Sequence, residues 1–281
     1  MWLPLVTAAL IAQSLSPQAP SLTVAVTPRV EEFRYRFDHP SSFNTTALVP
    51  HFFEQRYDVV PTWLSTEARY RIGGLSAASA VHVSLRARTR GSDIDTFQQP
   101  SGDVVTSGTD GDVMLWSWNV TQQIAVGEAR GWALSITAGY RRDRAEFLPD
   151  DRIVTHTVPA SMTRTFITDR ETTTSQRLAF GLGMERTLAV GNEWTATFGA
   201  AAQPVVRAQL VIQLPDKYPG VDLRYTALGA GASAFCTLTR RVGQWHTGVT
   251  VNGGGVWAYR STAAYELRSL SVSVFVGPGR R

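Results

Sequence analysis

From about residue 30 onward, apolar residues recur at every second position, not at helical spacing. Leu75, Ala77, Val81, Val83, Leu85 and Ala87 share one phase, while His82, Ser84, Arg86, Arg88 and Arg90 share the other. A strand with one apolar and one polar face has this pattern. Met114, Trp116, Trp118 and Val120 repeat it against Ser117, Asn119 and Thr121, and Trp132, Leu134, Ile136, Ala138 and Tyr140 repeat it against Ser135, Thr137, Gly139 and Arg141. Further stretches run through Leu178 to Met184, Trp194 to Ala200, Leu228 to Leu238, Trp245 to Val251 and Leu270 to Val276. With weaker alternation at Phe33 to Phe37 and Trp63 to Ile72, the pattern predicts ten strands and no helix.

The connections decide the class. Tight ones are expected at Gly73-Gly74, Gly127 to Gly131, Gly191-Asn192-Glu193 and Arg241 to Gln244. Long ones are expected around 38–56, 91–111, 142–175, 213–222 and 252–262, in strict alternation with the tight ones. A soluble sandwich has no reason to put every short turn at one end. An outer-membrane barrel has an even strand number, short periplasmic turns, long outer loops and about 9–11 residues per spanning strand. Trp132, Trp194 and Trp245 each follow a tight turn in the apolar phase, where a periplasmic aromatic girdle is expected. The fold class is therefore all-β: a ten-stranded antiparallel transmembrane barrel in a bacterial outer membrane. Arg86, Arg88, Arg141, Arg177 and Glu185 lie on the opposite faces and are expected to fill a narrow lumen with ion pairs.

Residues 1–19 read as a signal peptide, with an apolar run from Met1 to Ala12 followed by small residues. That run is about the length of a signal core and too short for a spanning helix of roughly 20 residues. Residues 20–276 are expected to form the barrel and 277–281 a short tail; such barrels finish on an aromatic residue read by the barrel-assembly machinery, whereas this sequence continues past Phe275. Composition narrows the rest. A formal net charge of +4 lacks the basic stripe of a nucleic-acid protein. The single cysteine, Cys236, excludes an internal disulfide and a multi-thiolate metal site, and no motif points to a cofactor.

Ten strands with five outer loops resemble the omptins, outer-membrane endopeptidases of Gram-negative bacteria. The stretch Ala138-Gly139-Tyr140-Arg141-Arg142-Asp143-Arg144-Ala145-Glu146-Phe147 is similar to the omptin Ala-Gly-Tyr segment followed by Arg and Phe. Gly91-Ser92-Asp93-Ile94-Asp95-Thr96-Phe97 resembles the second outer loop, where an Asp-x-Asp pair holds the attacking water. Carboxylates at i and i+2 of an extended chain point the same way, and their repulsion raises one pKa toward that of a general base. The resemblance implies an Asp-x-His pair in the fourth outer loop. Asp216 stands in the first position and Tyr218 where histidine should be, leaving His156 of the third loop as a substitute. It also implies lipopolysaccharide binding on the outer wall through Tyr140 and Arg144, with Arg142 in place of an acid.

Three functions follow as expectations. The first is an omptin-like barrel with an incomplete catalytic set, acting through its surface loops on a peptide or host-surface ligand as adhesin or receptor. The second is an omptin-type endopeptidase using Asp93, Asp95 and Asp216, and the third a small passive pore.

Overall fold

The computed structural model describes residues 21–41, 49–72, 74–99, 101–216, 219–220, 222–261 and 263–278; the expected signal segment and the last three residues of the tail lie outside these. The strands are β1 (Ser21–Ser41), β2 (Val49–Val59), β3 (Thr62–Ile72), β4 (Leu75–Ser84), β5 (Ala87–Gln98), β6 (Val104–Ala129), β7 (Trp132–Thr157), β8 (Ala160–Thr165), β9 (Glu171–Ala189), β10 (Trp194–Gln213), β11 (Asp222–Val242), β12 (Trp245–Arg260) and β13 (Ala263–Pro278). β2 with β3, and β4 with β5, each form one stave interrupted by two residues. β8 is a short addition paired only with the outer end of β7. Ten antiparallel staves therefore close into a ring, in which β1 pairs with β13 on one side and with β2 and β3 on the other.

Turn chemistry sets the tight end. Arg130 and Gly131 both have positive φ, 52° and 79°, as the two-residue turn between β6 and β7 requires. Pro204 lacks an amide hydrogen, and the ladders on both sides of β10 shift register around it. Close strand approach also selects glycine: a Cβ on Gly229 would lie 1.9 Å from the Trp257 carbonyl oxygen.

The expected apolar phases face outward. Leu22, Val24, Val26 and Val30 of β1, Leu178, Phe180, Leu182 and Met184 of β9, and Leu270, Val272, Val274 and Val276 of β13 are all exposed on the outer wall. Water would penalise so broad an apolar belt, whereas hydrocarbon accepts it. Trp194 and Trp245 are exposed at its lower edge, and Trp132 packs edge-on against Phe198. Trp257 and Tyr259 are exposed toward its upper edge, where Trp118 contacts Tyr140 at 5.1 Å.

Most segments expected as long loops are strand. β6 and β7 each run 26 residues, far beyond the 9–11 or so that a bilayer needs, so the wall stands well above the membrane. In that rim the outward face meets water and carries charge, so apolar alternation on it fades. The period survives on the inward face, in buried Val105, Val113, Leu115, Ala145 and Phe147. A second difference concerns the lumen. Ser84 and Ala87 both face inward across the break between β4 and β5, and a change of phase turns the side chains that follow. Arg86 is consequently exposed, and Arg88 leaves the lumen to pair on the outer wall with Asp112.

The lumen is filled in two layers. At the level of the stave breaks, Arg141 on β7 reaches across to Glu31 on β1 with two bonds of 2.7 and 2.9 Å and donates to Asp143 at 2.7 Å. Ser175 donates to the second oxygen of Asp143 at 2.9 Å. All four residues are buried. Above them Phe33, Tyr35, Phe37, Tyr57 and Tyr265 pack with Leu210, Ile212 and Leu267 into an apolar core. Tyr57 stacks on Phe33 at 5.1 Å, and its hydroxyl donates to that of Tyr35 at 3.1 Å.

Removing one member of a buried charge pair leaves the other uncompensated. Glu31→Ala should lower the stability of the barrel by roughly 3–5 kcal/mol, read as a shift in urea unfolding in lipid vesicles. An outward-facing control such as Glu32→Ala should change it little.

Candidate functional site

Two surfaces follow from this architecture: the inner wall at the outer mouth, and the outer wall just above the apolar belt.

On the inner wall, Asp93 and Asp95 share the inward phase of β5. Asp93 is buried and lies opposite Gln55 of β2 and Thr109 of β6; Asp95 lies opposite Phe53 and Ser107. The two carboxylates point to the same side, as their spacing requires. Gln55 is itself fixed, donating to Glu171 at 2.5 Å and accepting from Thr173 at 2.8 Å. Asp216 has a different environment. Its carboxylate is exposed and takes the amide of Arg170 at 2.8 Å, which with the Arg170 guanidinium holds its carboxyl below the usual range. It therefore clasps two loops together. Lys217 and Tyr218 lie outside the described residues, as do the side chains of His39 and His51.

His156 lies on the inward phase of β7, opposite Val105, and its Nδ1 is 2.8 Å from Asp103 Oδ2. Asp103 was not singled out by the sequence. It is buried in the turn between β5 and β6, where its Oδ1 accepts from the amides of Thr157 and Val158, each at 2.8 Å, and from the Thr157 hydroxyl at 3.1 Å. One carboxylate thus ties the hairpin of β7 and β8 to the rim. Its one local signal is the turn-forming pair Ser101-Gly102 before it, and its partners come from more than fifty residues away. His82 belongs elsewhere, low in the lumen, with Nδ1 2.7 Å from the Ser65 hydroxyl.

On the outer wall, Tyr140, Arg142 and Arg144 follow one another on the outward phase of β7. The Tyr140 hydroxyl donates to Gln176 at 3.2 Å, Arg144 pairs with Glu146 at 3.0 Å, and Arg142 is exposed. The three emerge next to Trp118, where the apolar belt gives way to charge. Elsewhere the outer wall carries further ion pairs, Arg90 with Asp150 at 2.6 Å and Arg34 with Glu54 at 2.9 Å.

No protein-family model and no curated protein sequence matches the chain. Solved structures do. The outer-membrane protease OmpT of Escherichia coli aligns over 92% of this chain and 96% of its own, with a TM-score of 0.62 at 7% identity. The fold is that of an omptin-like outer-membrane β-barrel. The chain resides in a bacterial outer membrane. The β domain of the Bordetella autotransporter BrkA covers 94% of this chain at 12% identity with a TM-score of 0.36. The toluene transporter TodX of Pseudomonas putida covers 97% at 8% identity with a TM-score of 0.27.

The Asp103 carboxyl is pulled down to about 2, first by the His156 hydrogen bond and then by the Val158 amide, against the opposing effect of burial. An unfolded aspartate titrates near 3.9, so the stabilisation is complete above about pH 4 and is lost as pH falls toward 2. Hydrogen exchange at Thr157 and Val158, corrected for intrinsic rate, should be equally slow at about pH 5 and 7 and accelerate below about pH 3. Asp103→Ala should exchange fast throughout.

Proposed function

We propose that the protein is a sealed surface barrel that acts through its outer rim and loops, as an adhesin or receptor for a peptide or host-surface ligand. The single observation that supports this reading is the filling of the lumen: the ionic layer around Arg141 lies beneath an aromatic core, and together they occupy the space a pore or an open substrate cleft would need. The rim above is tall, its outer wall is laced with ion pairs, and the β7–β8 hairpin projects from it with exposed Val158 and Met162. Surfaces of that kind suit binding by loops held on a rigid scaffold.

An endopeptidase reading has one specific support, the Asp103 and His156 pair on the same inward wall as Asp93 and Asp95, in which an oriented imidazole supplies the base that the fourth loop lacks. The purified barrel in a planar bilayer should show no conductance steps, and with a mixed fluorogenic peptide library no product. Stepwise conductance would overturn the sealed barrel in favour of a pore. Cleavage abolished by both Asp93→Asn and His156→Ala would overturn it in favour of the enzyme.

The outer wall carries a second part of the proposal: Tyr140, Arg142 and Arg144 bind lipopolysaccharide phosphate. Guanidinium forks match phosphate, and these sit where lipid headgroups begin. Arg142→Glu with Arg144→Glu should reduce lipopolysaccharide co-purifying at low salt several-fold while leaving heat-modifiable mobility unchanged. Salt should weaken wild-type binding in part, since exposed charges are screened over about 8 Å at physiological ionic strength. Equal amounts on wild type and double variant would overturn it.

A further inference from the structure

The ionic layer of the lumen carries more donors than the described residues can accept. Arg141 is matched by Glu31 and Asp143. Arg29, two residues before Glu31 on the same inward phase, reaches that carboxylate with one contact of 3.4 Å, and its Nε is buried with no acceptor. Trp63 is fully buried, with the guanidiniums of Arg29 and Arg141 over its ring at 4.8 and 5.0 Å. Its indole N–H also has no acceptor, and the buried hydroxyl of Tyr265 has no partner. Arg177, inward on β9, is close enough to Arg29 and to Tyr265 to interact with both electrostatically. Among the described residues it has no carboxylate partner. Three guanidiniums, of Arg29, Arg141 and Arg177, thus face the two carboxylates of Glu31 and Asp143.

Excess positive charge and unmatched donors at one level call for the same complement, a negative acceptor. A buried donor without one is costly, and a buried unpaired cation more so. Phe33 roofs the cluster, packing on the Arg141 guanidinium at 5.4 Å, and Trp63 and Tyr265 are fully buried, so the space above is closed and the layer suits only a small anion. Below, the Arg29 side chain is 17% exposed, and the lower lumen is lined by part-buried His82 and Gln123 and by the Arg69–Glu67 pair, with Glu185 across from it. Access is therefore from the periplasmic side.

We propose that a small inorganic anion of halide size binds in the lumen between Arg29 and Arg177, beside the Trp63 N–H and the Tyr265 hydroxyl. The site is independent of the surface role proposed above. It makes chloride an internal counterion that completes the ionic layer.

Crystals of the full chain grown in sodium bromide test this directly. An anomalous peak within hydrogen-bond reach of the Arg29 and Arg177 guanidiniums is expected; solvent density there with no anomalous signal would show that water alone satisfies the donors and would overturn the proposal. In detergent at constant ionic strength, replacing gluconate by chloride should raise the wild-type Tm by a few degrees. Arg177→Gln should lose that chloride-dependent rise, while Arg177→Lys, which keeps the charge, should retain part of it. Equal wild-type Tm in the two salts would overturn the proposal whether or not the glutamine variant folds.

Discussion

Within hydrocarbon no backbone amide or carbonyl can be left for water, so a sheet can cross a membrane only by closing on itself. The pairing of β1 with β13 meets that requirement here, running from Val24 opposite Val276 to Phe37 opposite Ala263. Much follows from it. Ten tilted staves fix a circumference too small for a wide channel, so the inward side chains must fill the interior. Because the outer wall already takes the apolar residues of the spanning segments, the lumen there is left with polar and charged residues, among them Arg29, Glu31, Glu67, Arg69, His82, Ser117, Arg141, Asp143, Arg177 and Glu185. Charges packed that closely are tolerated only as a network, and Arg141 is its centre because its planar fork serves Glu31 and Asp143 at once.

Above the bilayer the polarity of the wall inverts. Outside are Glu32, Arg34, Glu54, Arg56, Arg88, Asp112 and Asp150; inside are Phe33, Phe37, Tyr57, Leu210 and Tyr265. The rim is organised as an ordinary soluble β-structure with an apolar core, set on a membrane barrel whose interior is polar. That inversion shapes the functional reading. A core of aromatic rings where an open cleft would otherwise lie confines Asp93 to a buried position on the wall, and leaves the hairpins and the outer arginines as the accessible chemistry.

The strand number, the position of the tight turns and the phase of the lipid-facing residues were legible in the sequence, because hydrocarbon imposes a strict alternation on stretches such as Leu178 to Met184. The rim was not. Its outward residues are free to be Thr, Asp, Gly or Arg, so the reading of 91–111 and 142–175 as loops mistook a solvated face for the absence of a strand. The lumen cluster was half legible. Arg141 and Arg177 could be placed on the inner face by phase, but nothing local pairs Arg141 with Glu31 at a separation of 110 residues. Arg88 was misplaced because the change of phase between Ser84 and Ala87 leaves no mark in the residue types. Asp93 and Asp95 were found by their spacing, whereas Asp103 and His156 meet only through the register of β6 with β7.

The two interrupted staves have a mechanical consequence. At Val60-Pro61 and Leu85-Arg86 the ladder is carried across by isolated bonds, from the Arg29 amide to the Pro61 carbonyl and from the Leu85 amide to the Thr62 carbonyl. Below that seam β1, β3, β4 and β6 pair in sequence; above it β1, β2, β5 and β6 do so separately. On this side of the barrel the wall is thus two tiers in series. The upper tier can unzip from its rim downward and re-form without any hydrogen bond of the lower tier breaking, so the sheet stays closed across the lower tier when the exposed rim frays.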